Sequence, residues 1–138
     1  MSQTTGWYIE NEIIYVHYAG VVTTDDMRAS LQSSNDLIAS SPRHVVHAIT
    51  DVGDVTKPLN PKDSLEIIRE ITPHERAGWT VVLREKSVLI KVGLMFSTSV
   101  LKTRTKACAT MTEANAFFAE IDPDLSWDKV NSAIIAGQ

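Results

Sequence analysis

The sequence predicts an α/β fold: one domain over residues 1–138, with a mostly parallel five-stranded sheet, an N-terminal β-hairpin and helices packed on it. Three observations predict it. Strand-like runs alternate with helix-like stripes after the first hairpin, which calls for crossover connections. The run Ile13-Ile14-Tyr15-Val16-His17-Tyr18 is apolar on both alternating faces, as a strand covered on both sides must be. Helix start and stop residues stand where the stripes begin and end.

Trp7-Tyr8-Ile9 and Ile13–Tyr18 are rich in β-branched and aromatic residues, and Glu10-Asn11-Glu12 between them reads as a hairpin turn. After Gly20, Thr23 can cap a helix whose first turn carries Asp25 and Asp26, where carboxylates suit the helix dipole. Met27, Leu31, Ser34 and Ile38 follow at helical spacing, and Ser41-Pro42 stops the helix. Val45–Ile49 reads as a buried strand, and the Gly, Asp and Pro of Asp51–Pro61 as a loop. A helix is expected from about Lys62 to Ile71, with Leu65 and Ile68 inward and Asp63 as its cap. Trp79–Leu83 is the next strand, Ser87–Leu101 a helix and Lys106–Met111 a short strand. Thr110 and Glu113 have capping-box spacing before Ala114, Phe117, Phe118 and Ile121, and Asp122-Pro123 breaks that helix. A last helix is expected from Ser126, with Trp127, Val130 and Ile134 on one face.

A chain of 138 residues can bury a sizeable core without disulfides or metals, and with one cysteine no intrachain disulfide can form. The net charge of −4 argues against a protein built around nucleic acid. No apolar run approaches the roughly 20 residues that span a bilayer. Met1–Gly6 lacks the charge and apolar run of a signal peptide, so a cytoplasmic location is expected.

Several local details resemble the SpoIIAA-like family, a branch of the STAS and CRAL-TRIO-like α/β proteins. They are the hairpin ending Tyr18-Ala19-Gly20-Val21-Val22-Thr23 before an acidic-started helix, and the strand ending Thr50-Asp51-Val52-Gly53-Asp54. To these add the Trp-led strand Trp79-Thr80-Val81-Val82 before a long apolar helix, and the Thr110–Ala114 to Phe117-Phe118 helix ending in Asp122-Pro123. The resemblance covers about residues 7–123 and rests on element order. It implies a regulatory role at one extreme, as in anti-sigma-factor antagonists, and lipid handling at the other. It also implies a phosphate site: phospho-regulated members carry an Asp-Ser pair opening the helix after the central strand, and Lys62-Asp63-Ser64-Leu65 lies in about that place. Ser64 is the candidate phosphorylation site, although the glycine usual after that serine is missing.

The residues that carry catalysis elsewhere are poorly arranged here. His44 and His47 are three apart in a predicted strand, so they point to opposite faces, and there is no His-Glu-x-x-His or paired-cysteine pattern. His17 reads as a hydrogen-bonded core or interface residue. Cys108, between two alanines, reads as packing rather than nucleophile. Catalytic residues, metals and cofactors are therefore expected to be absent, and an enzymatic reading requires folding to bring His17, His47 and Asp51 together.

The most informative segment is Ser87–Leu101. Val88, Leu89, Val92, Met95, Phe96 and Val100 form one helical stripe, and Ile90, Leu94 and Leu101 a second roughly opposite. A second apolar face needs cover from within the chain, from a subunit or from a ligand. Beside it, Arg84–Lys106 holds six basic residues and one acid, with Lys102, Arg104 and Lys106 alternating as on one face of a strand. That face fits a charge-protected edge, or a surface for an acidic partner or anionic lipid head groups beside an apolar stripe. The resulting expectation is a non-enzymatic regulatory or interaction module acting by protein–protein contact through Ile90, Leu94, Leu101, Lys102, Arg104 and Lys106, as a homodimer or with a protein partner. The alternative is a carrier or sensor of an apolar or anionic, lipid-like small ligand held between this helix and the sheet.

Overall fold

The structure is a computed structural model that describes residues 3–85 and 104–135. Its elements in chain order are β1 (Gln3–Ile9), β2 (Ile13–Val21), α1 (Thr24–Ser40), β3 (Val46–Lys57), α2 (Pro61–Glu70), β4 (Ala77–Leu83), β5 (Thr105–Cys108) and α3 (Met111–Ile121), then two 3-10 turns, Trp127–Lys129 and Ser132–Ile134. The strands form one five-stranded sheet in sequence order; β1 and β2 are antiparallel and the other pairs parallel. That is the sheet the alternation predicts. The expected Ser87–Leu101 helix lies outside the described residues.

Strand alternation sorts the core into two layers. Ile13 and Tyr15 of β2, Ile49 of β3, and Val81 and Leu83 of β4 face α3, where they pack with Ala114 and Phe118. Ile14, Val16 and Tyr18, with Val46, Val52 and Val82, face the side of α1 and pack with Ile38. The doubly apolar pattern of β2 thus serves two separate layers. Tyr18 is the polar exception in its layer. The Ser30 hydroxyl donates to the Met27 carbonyl at 2.9 Å, so the phenol donates to Ser30, and burial pushes the phenol pKa up to about 12.

The caps explain where the helices start. Thr23 accepts from the Asp26 amide at 3.1 Å and Asp26 accepts from the Thr23 amide at 2.9 Å, a reciprocal pair that satisfies two orphan donors. For α2 the cap is Asn60, not Asp63: Asn60 accepts from the Asp63 amide at 2.8 Å, and Pro61 takes the first-turn place where no N–H is needed. Leu65 and Ile67 are the buried residues of α2, and Ile68 is half-buried. Thr110 caps α3 as its spacing predicts.

Two expected elements also need correction. The strand read as Val45–Ile49 runs as β3 to Lys57, because parallel pairing with β2 continues through Asp51 and, past an irregularity at Val52 and Gly53, through Asp54, Val55 and Lys57. The turn-favouring composition of Asp51–Asp54 is overridden by tertiary partners. The last helix is replaced by the two 3-10 turns, because this segment pairs with β1 instead. Val130 bridges Ile9 and the Asn131 amide donates to the Tyr8 carbonyl at 2.8 Å, while Ile134 packs over Gly6. Ser126 makes no cap; its amide donates to the buried Glu12 carboxylate at 2.6 Å.

Candidate functional site

The polar side chains gather at opposite ends of the sheet. Toward the carboxyl ends of β2, β3 and β4, where open α/β sheets place ligand sites, stand His17, Asp51, Asp54 and Arg84, and the Tyr15 hydroxyl reaches Asp51 from earlier in β2. Asp51 is 1% exposed. It accepts from Arg84 Nε at 2.9 Å and Nη2 at 3.0 Å, from the Gly53 amide at 3.0 Å, and from the Tyr15 hydroxyl. Such a fork-on-carboxylate pair is the geometry that justifies a buried charge. Arg84 also reaches Asp54 at 3.3 Å, and His17 Nε2 lies 2.7 Å from Asp54. The His17 hydrogen bond, with Arg84 beside it, holds the Asp54 carboxyl below the usual carboxylate range.

Two backbone features make this cluster fit. Arg84 has φ +59°, a left-handed conformation that turns the chain as β4 ends. Its guanidinium lies against Gly53, where a Cβ would collide with it. No spacing rule in the sequence pairs Arg84 with Asp51, 33 positions earlier, and the Asp-Val-Gly-Asp run reads locally as a loop. Only the parallel register, with Asp51 opposite Leu83, brings them together.

The second cluster is at the amino ends of β3 and β4. Register slips there: Val46 pairs with Ala77 but Ala48 with Thr80, so Gly78 and Trp79 both stand against His47. The His47 ring plugs this bulge. The Trp79 amide donates to Nδ1 at 3.0 Å, which leaves the proton on Nε2, and Nε2 donates to Asp122 at 2.9 Å. A Cβ on Gly78 would stand 2.5 Å from Nδ1, so glycine is required for the approach. Burial lowers the His47 pKa, and the Asp122 partner offsets this only in part. For Asp122 burial pushes upward, but hydrogen bonds from His47 and from Arg43, at 3.1 Å, outweigh it and hold the carboxyl low. His44, read as the start of the strand, instead stands two residues before it and is exposed, bordering the same shallow cleft as His47, Arg104 and Asp124.

The enzymatic reading required His17, His47 and Asp51 to come together in one pocket. His17 and Asp51 are register neighbours, but His17 turns to Asp54, and His47 lies four residues, about 13 Å, back along β3 on another carboxylate. The three do not meet. Cys108 is buried, and burial pushes its thiol pKa up. Among the described residues no three His, Cys, Asp or Glu side chains could hold a metal ion, and no helix is long and apolar enough to cross a membrane.

Ser64 is half-buried in α2, one residue past the amide that Asn60 caps, and its own amide donates to the Asn60 carbonyl at 3.0 Å. Arg104 and Lys106 are exposed at β5, an edge strand of the sheet, with the Lys106 ammonium 5.9 Å from the centre of the Phe117 ring. Ile90, Leu94, Leu101 and Lys102 lie outside the described residues, and so does the helix that the lipid-like ligand alternative places over its ligand.

An antiparallel hairpin leading into a parallel sheet of sequential order, with α1 on one face and α3 on the other, defines a SpoIIAA-like α/β fold. Solved structures share it, and two of them show the likeness. One is an uncharacterised protein of the DUF3478 family from Shewanella loihica PV-4, itself described as SpoIIAA-like, with TM-score 0.59 and 11% identity over 84% of this chain and 93% of that one. The other is the unphosphorylated anti-sigma factor antagonist SpoIIAA, with TM-score 0.51 and 11% identity over 86% of this chain and 97% of that one. No protein-family model matches the sequence, and neither does any curated protein. The resemblance drawn from the sequence therefore holds for the fold.

Proposed function

We propose that this chain is a non-catalytic regulatory module that acts by protein–protein contact, with a second copy of itself as the partner. The observation that carries the reading is how its reactive side chains are used. Both ring nitrogens of His47 are hydrogen-bonded, Asp51 is enclosed by Arg84, Tyr15 and the Gly53 amide, and Cys108 is buried. Each ties strands or helices together, which leaves it unsuited to attack a substrate or carry a proton. The likeness of fold to SpoIIAA, an anti-sigma factor antagonist, supports a regulatory role.

The contact surface we infer is the β5 margin. β5 is a four-residue edge strand with Arg104 and Lys106 exposed, in a chain whose net charge is −4, so the basic edge of one copy can meet an acidic surface of another. In the sequence, Ile90 and Leu94 belong to an apolar helical stripe and Lys102 to the same basic run as Arg104 and Lys106, and a reducing cytoplasm suits the lone Cys108.

Analytical ultracentrifugation over a concentration series tests this. Wild type is expected to sediment as a dimer. The Leu94→Glu variant and the Arg104→Glu/Lys106→Glu double variant are expected to be monomers with unchanged far-UV circular dichroism. A wild type that stays monomeric at the highest concentration overturns the proposal.

A further inference from the structure

We draw no further inference here: the strongest candidate, the apolar groove between α1, α2 and the sheet, is lined by side chains such as Ile14, Val46 and Val82 that are already buried, and nothing among the described residues shows what covers it.

Discussion

Replacing Arg76 by methionine should destabilise the protein more than the loss of any exposed ion pair. Arg76 stands just before β4, and its guanidinium caps the far end of α1. Nη1 donates to the carbonyls of Ser41 at 2.7 Å and Arg43 at 2.6 Å, and Nη2 to those of Ile38 at 2.7 Å and Ala39 at 3.4 Å. The last turn of α1 carries no basic residue of its own; the Ser41 amide donates to the Ile38 carbonyl at 3.1 Å and the Ser40 hydroxyl to that of Leu37 at 2.7 Å, and this borrowed cation adds charged donors at the negative end of the dipole. Methionine keeps the apolar stem and removes every donor. Ala39 is exposed, so water can replace that bond, but Ile38 and Ser41 are each 4% exposed. Two shielded bonds to a charged donor, at about 1.5 kcal/mol each, give an expected loss of about 3 kcal/mol. With an unfolding entropy of about 2.1 cal/mol/K per residue, that lowers Tm by about 10 °C. Urea unfolding followed by circular dichroism measures it, with Arg28→Met as the control, because Arg28 pairs with Glu70 and Asp25 on the surface. An Arg76→Met midpoint no lower than that of the control would refute the capping argument.

Acid should weaken the fold through His47. Burial holds its folded pKa below the ordinary histidine value of about 6.5, so the unfolded chain binds the proton more readily. Stability is then fully present above pH 6.5 and is lost as the pH falls through the lowered value. Urea midpoints taken from pH 7.5 to 5 should decline in wild type and decline less in His47→Gln, and an equal slope in both would count against this role. Gly53→Ala should push the Arg84 guanidinium off Asp51 and leave a buried carboxylate short of its partner, costing about 3 kcal/mol in the same assay; a change near zero would show that Arg84 can move aside. Phe118→Ala, at the fully buried centre of the α3 layer, should cost about 4 kcal/mol. Retention of the wild-type urea midpoint would remove Phe118 from the core argument.

The order of elements was legible because it depends on local chemistry. The hairpin break, the Thr23 and Thr110 caps and the Ser41-Pro42 stop each act within a few residues, and the doubly apolar run of β2 needs two covered faces whatever covers them.

What stayed hidden depends on partners distant in the chain. β3 outruns its expected end because Arg84 and the parallel register satisfy Asp51 and Asp54, and the Gly53 amide finds the Asp51 carboxylate, in a run that composition alone sends to a loop. The final segment forgoes its helix because the Tyr8 carbonyl and Ile9 offer it backbone partners. His47 was visible as a histidine in a strand, but its role as the plug of a bulge needed the slip between β3 and β4. By itself, then, the sequence determined the five strands, α1, α2 and α3 and their order, since propensity, capping and periodicity act over one or two turns. Only the tertiary structure decided which carboxylate each cation and histidine meets, because those pairs are set by strand register, which no spacing along the chain records.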